Sequence, residues 1–312
     1  MKIRIGYLGT PHTLLETIHT MTYQKYKKLG NKAQDELDKI IEKNLDNLEK
    51  IIDYNIENNI FFYRMTHNLF PLASLKDNNY NYLKHQKRCI KIGLKIKKYN
   101  MRIDCHPDHF CVLSTNNQEV LENSIRIIKI HKMLFDMLDI NSKIILHIGS
   151  KIPNKEEALK RFKNNFYKLD KNLQDIIILE NDDINYTTLE TLNLCEELNI
   201  PMVFDYHHFK CNHLKNENIN LLLKRIITTW KNTNLEPKFH FSSPKNKKEK
   251  RTHNFYIDYN TFIKFIDLIK KFNINLDIML EAKGKDEALF KLLRQLKFYK
   301  KFKMKKNEII FD

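Results

Sequence analysis

The chain has 312 residues, 42% of them hydrophobic, and carries 54 Lys and Arg against 38 Asp and Glu, a formal charge of +16. That apolar content supports a sizeable core, but no apolar run approaches the ~20 residues of a bilayer-spanning helix. Five cysteines without a CxxC pair argue against a zinc knuckle or disulfide framework, and the N-terminus enters a strand pattern with no signal-peptide core, so a soluble cytoplasmic protein is expected.

Apolar strand-like runs occur at 3–8, 60–65, 101–105, 143–148, 175–179, 201–204, 237–241 and 276–280. Between them lie segments with helical apolar spacing: Leu37 to Ile52, 80–98, Leu121 to Leu138, 155–173, 188–198, 219–229, 259–272 and 286–298. Alternation of eight strands with eight helices, without a Pro- or Gly-rich linker, predicts a single α/β domain spanning 1–312, a closed (β/α)8 TIM barrel. Its core is expected at about 3–298, with a basic C-terminal tail at 299–312. The stretch 10–34 reads as a long loop or irregular helix at the barrel mouth. No glycine-rich phosphate loop follows the first strand, which disfavours a doubly wound sheet.

Active sites of such barrels lie at the C-terminal strand ends. Here those ends carry Tyr7, Arg64 and His67, His106, His147, Glu180, Asp205 with His208, His240, and Glu281. Carboxylates and imidazoles at nearly every end are the donors that Zn and Mn take, so two or three divalent cations are expected there. Several members also have plain readings. His106-Pro107 can be a simple turn, His147 a satisfied core histidine, and Asp205 a helix cap; Asp183 is expected to cap the helix after Glu180. His253, beyond a basic run from Lys245 through Lys247 and Lys248 to Arg251, is expected to fold back as a further ligand, and His207 to point away. Strand alternation puts Lys238 on the face of His240, and Lys283 on that of Glu281.

The set Tyr63-Arg64, His106-Pro107 with Phe110, Leu146-His147-Ile148-Gly149, Leu179-Glu180-Asn181-Asp182-Asp183, Asp205-Tyr206-His207-His208, Lys238-Phe239-His240-Phe241-Ser242 and Leu280-Glu281-Ala282-Lys283 resembles the UV damage endonuclease family. The resemblance implies a barrel of the endonuclease IV and xylose isomerase type. It also implies a metal cluster, usually manganese with Zn2+ or Mg2+ as alternatives, held by His106, His147, Glu180, Asp205, His208, His240, His253 and Glu281. Lys238, Lys283, Arg64 and Tyr7 are the expected catalytic side chains. The implied activity is incision of duplex DNA on the 5′ side of cyclobutane dimers, 6-4 photoproducts or abasic sites, leaving a 3′-hydroxyl and a 5′-phosphate. A monomer bound to the nucleoid when on DNA is expected, with no membrane and no nucleotide cofactor.

Two stretches depart from the family pattern. After His-Pro the family usually carries Gly, Gln and an aromatic; here Asp108, His109 and Phe110 are the expected lesion-probing residues, with His67 on the loop where Ser-Ser is usual. Rival readings are an apurinic endonuclease, a metal-dependent sugar isomerase or epimerase, and a non-catalytic nucleic-acid binder. The basic surplus favours a polyanion over a neutral sugar.

Overall fold

The computed structural model describes residues 1–14 and 17–311. Eight parallel strands form in chain order: β1 (Lys2–Leu8), β2 (Phe62–Met65), β3 (Arg102–Cys105), β4 (Ile144–Leu146), β5 (Ile177–Glu180), β6 (Met202–Asp205), β7 (Lys238–Phe241) and β8 (Leu276–Leu280). Each pairs with the next; β8 pairs with β1 over Ile3↔Leu276 to Tyr7↔Leu280, which closes the barrel. Closure brings β1 very near β2. A Cβ at Gly6 would stand 2.2 Å from the Phe62 carbonyl oxygen, so only glycine fits there.

Two apolar layers follow from strand alternation. Ile3, Ile5 and Tyr7 point outward, into the layer filled by helices such as Ala33–Glu57, whose Leu37, Ile41, Leu45, Leu48, Ile51 and Ile52 are buried. Inside the barrel, Ile145, Ile178 and Val203 pack on Trp230, whose indole N–H donates to the Met202 carbonyl at 2.7 Å. Two residues further along those three strands stand His147, Glu180 and Asp205. On these three strands apolar side chains therefore give way to polar ones at one level, while Arg102, Asp104, Lys238 and Asp277 on the other strands bury charge inside the barrel.

Helices form where the apolar spacing predicts them, with additions. Tyr23–Leu29 is helical within the 10–34 stretch, whose residues 15 and 16 lie outside the description, and Tyr206–Cys211 follows β6 without a loop. The 155–173 segment divides into Lys155–Tyr167 and Lys171–Gln174. No helix among the described residues is long and apolar enough to cross a membrane.

The expected basic tail is a hairpin instead. β9 (Lys303–Lys305) and β10 (Glu308–Ile310) turn at Lys306 and Asn307, both with positive φ as a two-residue hairpin turn requires. β10 pairs antiparallel with Lys2 to Arg4 of β1. The physical reason is an open edge. β2 pairs with β1 only at Tyr7 and Leu8, so the lower half of β1 would otherwise expose its ladder groups.

Candidate metal centre

At the barrel mouth, Glu180, Asp205, His240 and Glu281 each bring a donor atom within 4.8 Å of the others, and His106, His147 and Glu180 form a second such group. Glu180 belongs to both. Its Oε2 lies 3.5 Å from His106 Nε2 and 3.8 Å from His147 Nε2, while its Oε1 lies 2.8 Å from His240 Nδ1 and 3.5 Å from His208 Nδ1. Glu281 Oε1 is 3.2 Å from His240 Nδ1, and its Oε2 is 3.9 Å from His253 Nδ1.

Local chain chemistry sets these positions. Asp205 Oδ1 caps the helix Tyr206–Cys211 by accepting the His208 N–H at 2.7 Å, which turns the chain sharply enough to bring His208 back to the mouth. The other oxygen, Oδ2, is buried without a hydrogen-bond partner. Asp205 is thus cap and candidate ligand together. Asn181 holds it from the neighbouring strand, donating to the Asp205 carbonyl at 3.0 Å and accepting from its N–H at 2.9 Å. His106 donates Nδ1–H to the Pro107 carbonyl at 2.8 Å, and His208 donates Nδ1–H to the Asn181 carbonyl at 2.9 Å. In the neutral ring each bond fixes the tautomer whose Nε2 has the lone pair that a ligating imidazole needs.

His253 reaches the mouth because the basic excursion closes on itself. Pro244 and His253 form a bridge, Lys245 N–H donates to the Thr252 carbonyl at 2.7 Å, and Asn254 N–H to the Ser243 carbonyl at 2.8 Å.

The electrostatics reflect crowded acids and bases. Burial alone would raise the Glu180 carboxyl, but His240, His106 and His147 outweigh it and hold it well below the usual range. Burial opposes ionisation of Glu281 too, and Arg64, 2.6 Å away, overcomes it. Asp205 goes the other way: burial, with repulsion from Glu180 and Glu281, exceeds the attraction of His208 and raises it. Burial resists protonation of His208, yet Asp205, Glu180 and Glu281 push it up to about 10.

The donor set fits divalent ions. Glu180 Oε2 and Asp205 Oδ2 are buried acceptors with no donor, an arrangement that costs free energy unless a cation takes them. Oxygen and imidazole nitrogen suit Mn, Zn and Mg in differing degree.

The other expected site residues divide. Arg64 is buried against the centre, donating to Glu281 and, from Nη2 at 2.6 Å, to His240 Nε2. Lys238 is fully buried in the barrel on the His240 side, but its ammonium donates to Asp104 Oδ2 at 2.5 Å; burial lowers it to about 8 against the opposing pull of Asp104. Lys283 is exposed, anchored through its N–H to the Asn254 carbonyl. Asp108, His109 and Phe110 are exposed on the loop after His106, Phe110 by 76%, and His67 Nε2 lies 3.2 Å from Asp108. Lys245, Lys247, Lys248 and Arg251 are exposed on the excursion that carries His253.

Two expectations are corrected. Tyr7 is not at the mouth: it faces outward and its hydroxyl donates to Asn55 Oδ1 at 2.8 Å, because β1 turns Arg4 and Gly6 inward. Asp183 is not the cap. Asp182 accepts from the N–H groups of Ile184, Asn185 and Tyr186, and a Thr187–Glu190 capping box starts the helix Thr188–Leu198, leaving Asp183 3.6 Å from Arg251. His207, expected to point away from the site, is in neither donor group. It is buried with its ring 5.3 Å from that of His253, and burial lowers it to about 4.

Asp104 and Asn181 were not singled out from the sequence. Asp104 was legible, being two residues before His106 on the same face; Asn181 was not, since its role depends on the strand beside it.

These features define a barrel of the endonuclease IV type with a candidate metal centre at its mouth. Endonuclease IV from Thermus thermophilus shares that fold with a TM-score of 0.56 at 11% identity, covering 80% of this chain and 93% of that one. A model of the UV-endonuclease UvdE family matches residues 3–312, and the chain belongs to that family of DNA-hydrolysing enzymes. It is 38% identical over 302 residues to the UV DNA damage endonuclease of Bacillus cereus (strain B4264), covering 95% of each chain. It also matches the crystal structure of SacUVDE with a TM-score of 0.85 and 31% identity, over 95% of this chain and 98% of that one.

Proposed function

We propose that this enzyme incises duplex DNA immediately 5′ of UV photoproducts, leaving a 3′-hydroxyl and a 5′-phosphate, with two or three divalent ions, manganese foremost, held by His106, His147, Glu180, Asp205, His208, His240, His253 and Glu281. The observation that carries this reading is the pair of orphaned buried oxygens, Glu180 Oε2 and Asp205 Oδ2, amid imidazoles at the mouth of a UV-endonuclease-family barrel. Bound divalent ions supply Lewis acidity for hydrolysing a phosphodiester at neutral pH.

The chain's own residues do the rest. Arg64 keeps Glu281 and His240 aligned and adds positive charge beneath the scissile phosphate, and Lys283 offers an ammonium at the rim. Lys238, tied to Asp104, contributes charge from below rather than by contact. Phe110 and His109 probe the base stack: a photoproduct stacks and pairs poorly, so it leaves the helix at lower cost than normal bases. Lys245, Lys247, Lys248 and Arg251 grip the flanking backbone without reading sequence. A single domain acting as a monomer on cytoplasmic, nucleoid DNA fits this reading.

The test is cleavage by Mn2+-loaded protein of a duplex with one defined cyclobutane dimer, beside an undamaged duplex. A nick 5′ of the dimer, lost with chelator and in Asp205→Ala, is expected. Cleavage only at an abasic site would replace the photoproduct assignment with an apurinic one.

A further inference from the structure

Beside the metal centre, and outside it, lies a second cavity of about 800 Å3 between the 244–253 excursion and the helix Tyr206–Cys211. Five cations line it, Lys210, Lys247, Lys248, Lys250 and Arg251, against one acid, Glu249. That acid is engaged elsewhere: Glu249 accepts from Lys245 Nζ at 2.7 Å and from Asn246 Nδ2 at 2.8 Å, at the tip of the excursion. Arg251 lies 3.6 Å from Asp183, while Lys210, Lys247, Lys248 and Lys250 make no ion pair among the described residues. Four unpaired ammoniums around one hollow repel one another. All four belong to the lining of one hollow rather than to scattered faces of the fold.

The wall also includes Ser242, which is 3% exposed and whose hydroxyl has no hydrogen-bond partner. A buried hydroxyl without a partner is a donor awaiting an acceptor. The lining also includes Tyr206 and Pro244, so the hollow combines apolar surface with its cations. Its volume is in the range of a small-ligand site. The matching ligand is an acceptor-only anion on a partly apolar body, which describes a phosphate ester on a sugar.

The cavity's position narrows the source. His207, in its wall, has its ring 5.3 Å from that of the candidate ligand His253. A strand held at the metal centre would have its next phosphates within reach of this hollow. We infer that the cavity binds a backbone phosphate of the incised DNA, adjacent to the scissile one; this rests on the DNA reading above. Lys210, Lys250 and Ser242 would then serve a backbone contact set apart from the probing loop at Phe110.

The experiment measures binding of Mn2+-loaded protein to an undamaged duplex across a salt series, for wild type, Lys210→Gln/Lys250→Gln and Ser242→Ala, with metal content and Tm recorded for each. The double variant is expected to bind about tenfold more weakly, with a log Kd against log salt slope shallower by about two, since each lost phosphate contact removes about one unit. Ser242→Ala is expected to bind several-fold more weakly with an equal or higher Tm, because it removes a hydroxyl that bonds to nothing in the free protein. A hydroxyl with a structural role would instead lower Tm and leave binding alone. Wild-type affinity and slope in both variants would overturn the inference while leaving the DNA reading intact. Unchanged duplex binding, with thymidine monophosphate or inorganic phosphate binding lost, would overturn it in favour of a free-phosphate pocket. Absence of duplex binding by the wild type at low salt would overturn both readings.

Discussion

The two ends of the barrel bury their carboxylates in opposite ways. At the N-terminal end, Asp277 takes Arg4 Nε at 2.5 Å, Arg4 Nη2 at 2.7 Å and Arg102 Nη1 at 2.7 Å, so both its oxygens are used. Arg102 also donates to the Glu236 carbonyl and stacks over Trp230 at 5.1 Å and Phe62 at 5.5 Å. At the mouth, Glu180 and Asp205 each keep an oxygen unsatisfied amid the surrounding imidazoles. Charges that satisfy one another hold a fold together; charges left short are held ready for a ligand, at a cost to stability.

That contrast breaks most visibly in activity. Glu180→Gln removes the carboxylate shared by both donor groups, and metal-dependent cleavage should fall by more than the roughly 10–100-fold that outer partners of a metal centre are worth. Atomic absorption of the purified variant should show lowered metal content; full occupancy with normal cleavage would mean that Glu180 is no ligand.

Stability should separate the two ends by sign. Asp277→Asn leaves Arg4 and Arg102 buried without their counter-charge and should cost about 3–5 kcal/mol in urea unfolding, with metal content unaffected. Asp205→Asn keeps an oxygen to cap His208 N–H and removes a carboxylate that burial and two neighbouring acids disfavour. The metal-free variant should be as stable as wild type or more so, although it binds metal poorly. A loss at Asp205 as large as at Asp277 would erase the distinction.

The mouth should also respond to pH. With His208 raised from 6.5 to about 10, the metal-free protein carries its proton at pH 7. That protonation stabilises the metal-free fold fully below pH 6.5, and the contribution is lost as pH rises through about 10. A metal must displace the proton, so affinity should climb with pH across that window, by about tenfold per unit for one proton. Calorimetry at about pH 7.5 in buffers of differing ionisation enthalpy should report about one proton released through His208; none would place that imidazole outside the ligand set.

The smallest effect is expected at the rim. Phe110→Ala should reduce preference for a dimer-bearing duplex over an undamaged one by about 1–3 kcal/mol, the worth of one stacked base, with metal content and Tm unchanged. Equal loss on both duplexes would make Phe110 a general contact rather than a probe.

Much of the barrel was legible in the chain because buried parallel strands are continuous apolar runs, and a period of two fixes which residues share a face. Hence Glu180, Asp205, His240 and Glu281 stood out as a strand-end series, and Lys238 shared a face with His240. Strand alternation puts Ile3, Ile5 and Tyr7 on one face of β1 but is silent about which face turns inward, and so Tyr7 was misplaced. It is equally silent about a polar hairpin whose value lies in the open edge it covers, as at β10.

By itself, the sequence determined the eightfold alternation and, on β3 to β8, the strand ends at which the candidate ligands stand. Only the tertiary structure decided that Asp205 divides its oxygens between a cap and an open position, that Asn181 locks it from the next strand, that Lys238 is spent on Asp104, and that Pro244 pairs with His253. The reason is physical: periodicity acts within one strand, whereas pairing of charges and orphaning of donors arise between strands and depend on the register at which the barrel closes.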